Sequence, residues 1–101
     1  MYKHIVLWKL KKQPEEMTHA ELAQEVKRRL DELPTHIPEI KQYETAINIG
    51  DYNACFYDVS LISSFDNKDD FWAYTKYPIH DKVVHYIQSV TVSEQIVDYE
   101  L

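Results

Sequence analysis

Tyr2-Lys3-His4-Ile5-Val6-Leu7-Trp8-Lys9-Leu10 is dense in β-branched and aromatic residues and reads as a strand. Its apolar side chains fall on both parities. Val6, Trp8 and Leu10 share one face, and Ile5 and Leu7 share the other. A half-exposed strand would alternate with polar residues, so this one calls for cover on both sides. Either face could be the one that meets the helices.

Downstream of that strand, Lys11-Lys12-Gln13-Pro14 marks a break, and Thr18-His19-Ala20-Glu21 is a capping-box pattern. Leu22, Ala23, Val26, Leu30 and Leu33 then recur at helical spacing, with Lys27, Arg28, Arg29 and Asp31 opposite. Pro34 and Pro38 end that helix. Residues Ile40 to Ile49 read as a second strand, Gly50-Asp51-Tyr52-Asn53 as a turn, and Ala54 to Phe65 as a third strand closing a hairpin. Asn67 caps a short helix over Asn67–Asp70, with Phe71, Trp72 and Tyr74 following. A second helical segment runs from Asp81 to Ser89, and Val90 to Leu101 supplies a fourth strand.

The order is βαββαβ, an α+β, ferredoxin-like arrangement: a four-stranded antiparallel sheet with helices on one face, filling residues 1–101 as a single domain. Helices cover only one face of such a sheet. A second copy packed sheet to sheet is the simplest cover for the other, so a homodimer is expected.

Composition narrows the function classes. The chain has 101 residues, 45% hydrophobic and 28% charged, as in an ordinary folded domain. Eleven Lys and Arg against 17 Asp and Glu give a net charge of −6, which disfavours nucleic acid and anionic membrane surfaces as partners. The apolar runs reach only four residues, as in Ile5–Trp8, and the opening shows no signal-peptide pattern. One cysteine, Cys55, excludes an intrachain disulfide and fits a reducing cytoplasmic location, with a buried structural thiol as the default. One glycine, Gly50, excludes glycine-rich phosphate loops. Scattered histidines without ligand spacing give no metal site, and no cofactor is expected.

Three stretches resemble the stress-responsive dimeric α/β-barrel (Dabb) family: Lys3-His4-Ile5-Val6-Leu7, Tyr74-Thr75-Lys76-Tyr77-Pro78-Ile79-His80 and Ile96-Val97-Asp98-Tyr99-Glu100. The resemblance spans essentially the whole chain. It implies a homodimer whose ferredoxin-like subunits join their sheets into a central α/β barrel. One plant branch, olivetolic acid cyclase, closes a polyketide by cofactor-free aldol chemistry, with a Tyr and a His at the spacing of Tyr74 and His80 and a His matching His4. The resemblance therefore implies His80 as general base, Tyr74 as its orienter or the binder of a substrate carbonyl, and His4 as a polar pocket residue. The chain departs from the family's His-Pro-x-His in carrying Tyr77, and Val59 stands where the plant cyclase has a further His.

Each candidate also has a plainer use. An imidazole near pKa 6.5 can take and return a proton at neutral pH, but a histidine at a helix start can equally hydrogen-bond the backbone. Tyr74 can be an amphipathic core residue, and His4 a satisfied core histidine. Trp8, Tyr43, Tyr57, Phe71 and Trp72 can wall an aromatic pocket or simply fill the core. His85, four residues after Asp81, reads as half of a helical ion pair, and His19 and His36 as surface residues. Glu15-Glu16 and Lys27-Arg28-Arg29 read as solvated helix faces, and Asp58 as a residue facing a partner across the dimer. The expectation is a pocket for a small apolar or carbonyl-rich metabolite, with cofactor-free acid–base catalysis. The alternative is a non-enzymatic stress-responsive structural or interaction protein.

Overall fold

A computed structural model describes residues 1–12 and 17–101. The Gln13-Pro14 break and the Glu15-Glu16 face lie outside the described residues. The elements are β1 (Tyr2–Leu10), α1 (His19–Asp31), α2 (Leu33–His36), β2 (Gln42–Ile47), β3 (Val59–Phe65), α3 (Lys68–Thr75), α4 (Pro78–Val90) and β4 (Thr91–Glu100). The sheet runs β2-β3-β1-β4 with every neighbouring pair antiparallel, and this is the ferredoxin-like βαββαβ fold.

Register decides the two faces. His4 stands opposite Ser63 on β3 and Asp98 on β4, and Ile5 stands opposite Ile62 and Val97. Tyr2, Val6, Trp8 and Leu10 are buried, while Leu7 and Lys9 are exposed, so the even-numbered residues of β1 meet the helices. Leu22, Ala23, Val26 and Leu30 of α1 and Val83, Ile87 and Val90 of α4 complete the core against Val59, Leu61 and Phe65 of β3. Among the described residues the opposite face has no helix. Ile62, Leu7, Val97 and Tyr99 are exposed there by 40%, 37%, 59% and 39%.

The capping box at Thr18 forms in both directions: Glu21 N donates to Thr18 Oγ1 at 3.1 Å, and Thr18 N to Glu21 Oε1 at 2.9 Å. The charged side of α1 is an ion-pair ladder in which Glu25 takes Arg28 at 2.7 Å and Arg29 at 2.8 Å, and Lys27 meets Asp31 at 2.7 Å. Pro34 does not end all helical structure. It opens the short α2, where its missing amide hydrogen costs little. Asn67 caps α3, its Oδ1 accepting from Asp70 N at 2.8 Å, and the helix runs on to Thr75 rather than stopping at Asp70. Pro78 likewise begins α4, which starts ahead of the expected Asp81 and so holds His80 in its first turn.

The β2–β3 hairpin forms, but both strands are shorter than the sequence predicts. Asp58 immediately precedes β3. Its amide donates to Trp8 O at 2.8 Å, its carbonyl accepts from Asn48 N at 2.9 Å, and its Oδ2 accepts from Leu10 N at 2.8 Å. Asp58 thus ties the loop to the end of β1 rather than facing a partner, with His19 Nε2 at 3.5 Å. Residues 48–58 form the loop, so Cys55 is exposed and not a buried thiol. Gly50 belongs here because the Phe56 ring lies where a Cβ would stand.

Candidate functional site

Between the sheet's covered face and α4 lies a cavity of about 200 Å³. Its long walls are apolar: Val6, Leu61 and Ile96 from the sheet, and Val83, Val84 and Ile87 from α4. Leu30 and Leu33 close one side. The volume is below the roughly 300–1,000 Å³ of drug-sized sites, so it suits a small metabolite. Polar groups gather at its two ends.

At one end stand His4, Tyr74 and His80, with Phe71 and Thr75 beside them. β1 supplies His4, and α3 supplies Phe71 and Tyr74 at i and i+3, so both rings point inward from one helix face. The Tyr74 ring is 4.5 Å from that of His80 and 6.4 Å from that of His4, both edge-on. His4 also packs on Phe71 at 4.9 Å. These are ordinary aromatic contact distances, and they fix the ring planes.

His4 is held by an acid. Its Nδ1 donates to Asp98 Oδ1 at 2.6 Å, and the Tyr2 hydroxyl donates to Asp98 Oδ2 at 2.8 Å. A carboxylate only accepts, so Nδ1 carries the proton and Nε2 is the ring nitrogen left for a bound molecule. Burial, together with the hydrogen bond to Asp98, pushes the Tyr2 hydroxyl up to about 12.

His80 is pushed the other way. Burial lowers its pKa below 6.5 and the neighbouring His4 adds to that, while the Thr75 carbonyl and Asp81 act in the opposite sense. At neutral pH it is therefore an uncharged imidazole able to accept a proton. Burial alone raises the Tyr74 hydroxyl well above its ordinary value, so it remains a phenol and a hydrogen-bond donor. One end of an apolar cavity thus holds a neutral imidazole base, a phenolic donor and a second, carboxylate-oriented imidazole.

At the other end, Trp8 Nε1 donates to Glu94 Oε2 at 2.8 Å, and Gln88 stands nearby on the cavity lining. β4 is an edge strand, and Glu94, Gln88 and Ile96 are exposed, so the cavity opens here.

Of the residues singled out in the sequence, the fold brings His4, Trp8, Phe71, Tyr74 and His80 to this cavity. Tyr43, Tyr57 and Trp72 are elsewhere. Pro34 offers no amide to the Leu30 carbonyl four residues back, and the Tyr43 hydroxyl donates to that carbonyl at 2.7 Å instead. Tyr57 reaches across the helix-free face, where its hydroxyl meets Ser93 Oγ at 2.7 Å. Trp72 is one helix position round from Phe71, which turns it outward to 50% exposure. His85 pairs loosely with Asp81 at 3.8 Å, on the surface.

Sequence reasoning gave no site role to Asp98, Tyr2, Glu94 or Gln88. Asp98 and Glu94 reach His4 and Trp8 only through the β1–β4 register, which pairs His4 with Asp98 and Trp8 with Glu94. The available signal was the period-2 alternation Glu94-Ile96-Asp98, which places all three on one face.

No curated protein matches the chain. Among solved structures, a dimeric ferredoxin-like protein of unknown function from Bacteroides fragilis is 29% identical, with a TM-score of 0.80 over 99% of this chain and 95% of that one. A dimeric ferredoxin-like protein from Thermobifida fusca is 26% identical, with a TM-score of 0.81 over 99% and 90%. A hydroxynitrile lyase from Passiflora edulis shares the fold at 16% identity, with a TM-score of 0.81 over 99% and 92%. The family model described as the stress responsive A/B barrel domain, Dabb, matches residues 2–101, and the chain belongs to that family.

Proposed function

We propose that this chain is a homodimer, joined sheet to sheet into an α/β barrel, whose subunit cavities each bind a small apolar or carbonyl-bearing metabolite. His80 acts there as a cofactor-free general base. The observation that carries the reading is the convergence of His4, Tyr74 and His80 on one end of a cavity with apolar walls. A neutral His80 removes a proton from the carbon next to a carbonyl, and the Tyr74 hydroxyl donates to the carbonyl oxygen as negative charge builds on it. His4, oriented by Asp98, offers Nε2 as a second polar contact. The apolar walls keep water from competing for these groups.

The dimer reading is supported by the exposed Leu7, Ile62, Val97 and Tyr99 on the helix-free face and by the dimeric relatives at 29% and 26% identity. The unpaired, exposed Cys55 suits a reducing cytoplasmic compartment.

The test follows exchange of the methyl protons of acetophenone for deuterium by NMR. Wild-type protein should accelerate the exchange, and His80→Ala should lose about a hundredfold or more of that acceleration while keeping its circular dichroism. Equal acceleration by the variant removes His80 from the chemistry. No acceleration by wild type, with no ligand-induced rise in melting temperature, favours the non-enzymatic barrel.

A further inference from the structure

The cavity has a second polar end, and its chemistry selects among carbonyl compounds. His4 and Trp8 are four residues apart on β1, which at about 3.3 Å per residue places them about 13 Å apart. His80 and Gln88 are eight residues apart on α4, about 12 Å at 1.5 Å per residue. α4 turns directly into β4, so the two run antiparallel and the ends coincide: His80 lies near Asp98 and His4, and Gln88 near Glu94 and Trp8. The cavity is thus an apolar channel with a proton-handling end and a distant carboxylate end.

The carboxylate end is a built feature. Trp8 is buried to 6% exposure, and its indole N–H fixes Glu94 Oε2, which leaves Oε1 to face an incoming group. Among the described residues the lining includes no lysine or arginine, and Glu94 is its one carboxylate. A carboxylate oriented at the opening accepts from a hydroxyl or an amine and repels another carboxylate.

We infer that Glu94 is a specificity-determining residue: the cavity takes neutral or amine-bearing carbonyl compounds with a hydrogen-bond donor remote from the carbonyl, and it rejects acids. The inference rests on the reading of this cavity as a ligand site. It assigns the carbonyl to His80 and Tyr74, and the remote donor to Glu94 and Gln88.

Three probes of one shape test it: acetophenone, 4-hydroxyacetophenone and 4-acetylbenzoate. Binding is read by quenching of Trp8 fluorescence in a Trp72→Phe background, which leaves Trp8 as the sole tryptophan. The hydroxyl compound should bind about tenfold more tightly than acetophenone, and the carboxylate about tenfold more weakly. Glu94→Gln should bring 4-acetylbenzoate up about tenfold and shrink the advantage of the hydroxyl, with acetophenone itself little changed. If all three probes bind wild type alike, or Glu94→Gln leaves their order intact, the cavity binds ligands but Glu94 does not select them. If none binds, the ligand-site reading fails and this inference fails with it.

Discussion

The two faces of the sheet are made by neighbouring residues of the same strands, and they carry opposite kinds of surface. On β1, Tyr2, Val6, Trp8 and Leu10 are buried beneath helices, while Ile5 and Leu7 sit between Lys3 and Lys9 on a face without them. The covered face is where the polar groups are matched. Tyr2 and His4 donate to Asp98, Trp8 donates to Glu94, and buried Ser63 donates to the His4 carbonyl at 3.2 Å. The open face leaves Ile62, Val97 and Tyr99 exposed, with no helix above them among the described residues. Apolar content alone does not tell the faces apart. What distinguishes them is which apolar residues the helices cover, and polar groups beneath the helices are matched because an unmatched one would cost roughly 1–3 kcal/mol.

The largest expected effect breaks the open face. Under a sheet-to-sheet dimer, Ile62→Asp with Val97→Asp buries carboxylates against apolar neighbours, at a cost of several kcal/mol. Dimer affinity should fall at least about a hundredfold, measured by sedimentation velocity over a dilution series. The subunit fold should survive, since both side chains are already 40% and 59% exposed within it. A dimer of unchanged affinity would place the contact on another surface.

A smaller effect is expected from the covered face, at Asp98→Asn. The variant keeps the shape but loses the charge that holds Tyr2 and His4, for a destabilisation of about 1–2 kcal/mol by urea unfolding. It also has a signature that packing alone would not give. The Tyr2 hydroxyl, pushed up to about 12, should fall back toward its ordinary 10.0, visible in the tyrosinate absorbance difference between variant and wild type. The sign of the linked stability follows from the direction of that shift. The contribution is complete below pH 10 and is lost as pH rises toward 12, so the variant should lose less stability than wild type across that window. An unchanged tyrosinate difference would mean that burial alone sets the Tyr2 value.

This contrast between faces also explains what the sequence reveals. Element order and the capped helices are local: Thr18 with Glu21, and Asn67 with Asp70, announce themselves at fixed short spacing. Both-parity apolarity in β1 announces two covered faces without saying which is which. The choice depends on pairing with β3 and β4, so Asp98 under His4 and Glu94 under Trp8 stay invisible until the register is known. The aromatic residues illustrate the same limit. Phe71 and Tyr74 reach the cavity and Trp72 does not, by one helix position. Tyr43 is drawn away by a carbonyl that Pro34 frees, and Tyr57 by Ser93 across the other face. Residue type was readable in each case, but direction was set by long-range partners.

The finest comparison is within the covered face, between the two imidazoles. Burial is the first cause of the lowered His80 pKa and the neighbouring His4 is the second, so removing His4 should undo the smaller part of the shift. By NMR titration, His80 should have its midpoint below 6.5, and His4→Gln should raise that midpoint without restoring it fully. For a histidine whose folded pKa is depressed, stability is complete above 6.5 and declines as pH falls through the folded value, so acid should destabilise wild type more than His80→Gln. The exchange of acetophenone protons should follow the same midpoint, falling about tenfold per pH unit below it as the base is protonated. If the exchange rate and the His80 midpoint part company in wild type, and His4→Gln abolishes the exchange, then His4 itself, oriented by Asp98, is the base that takes the proton.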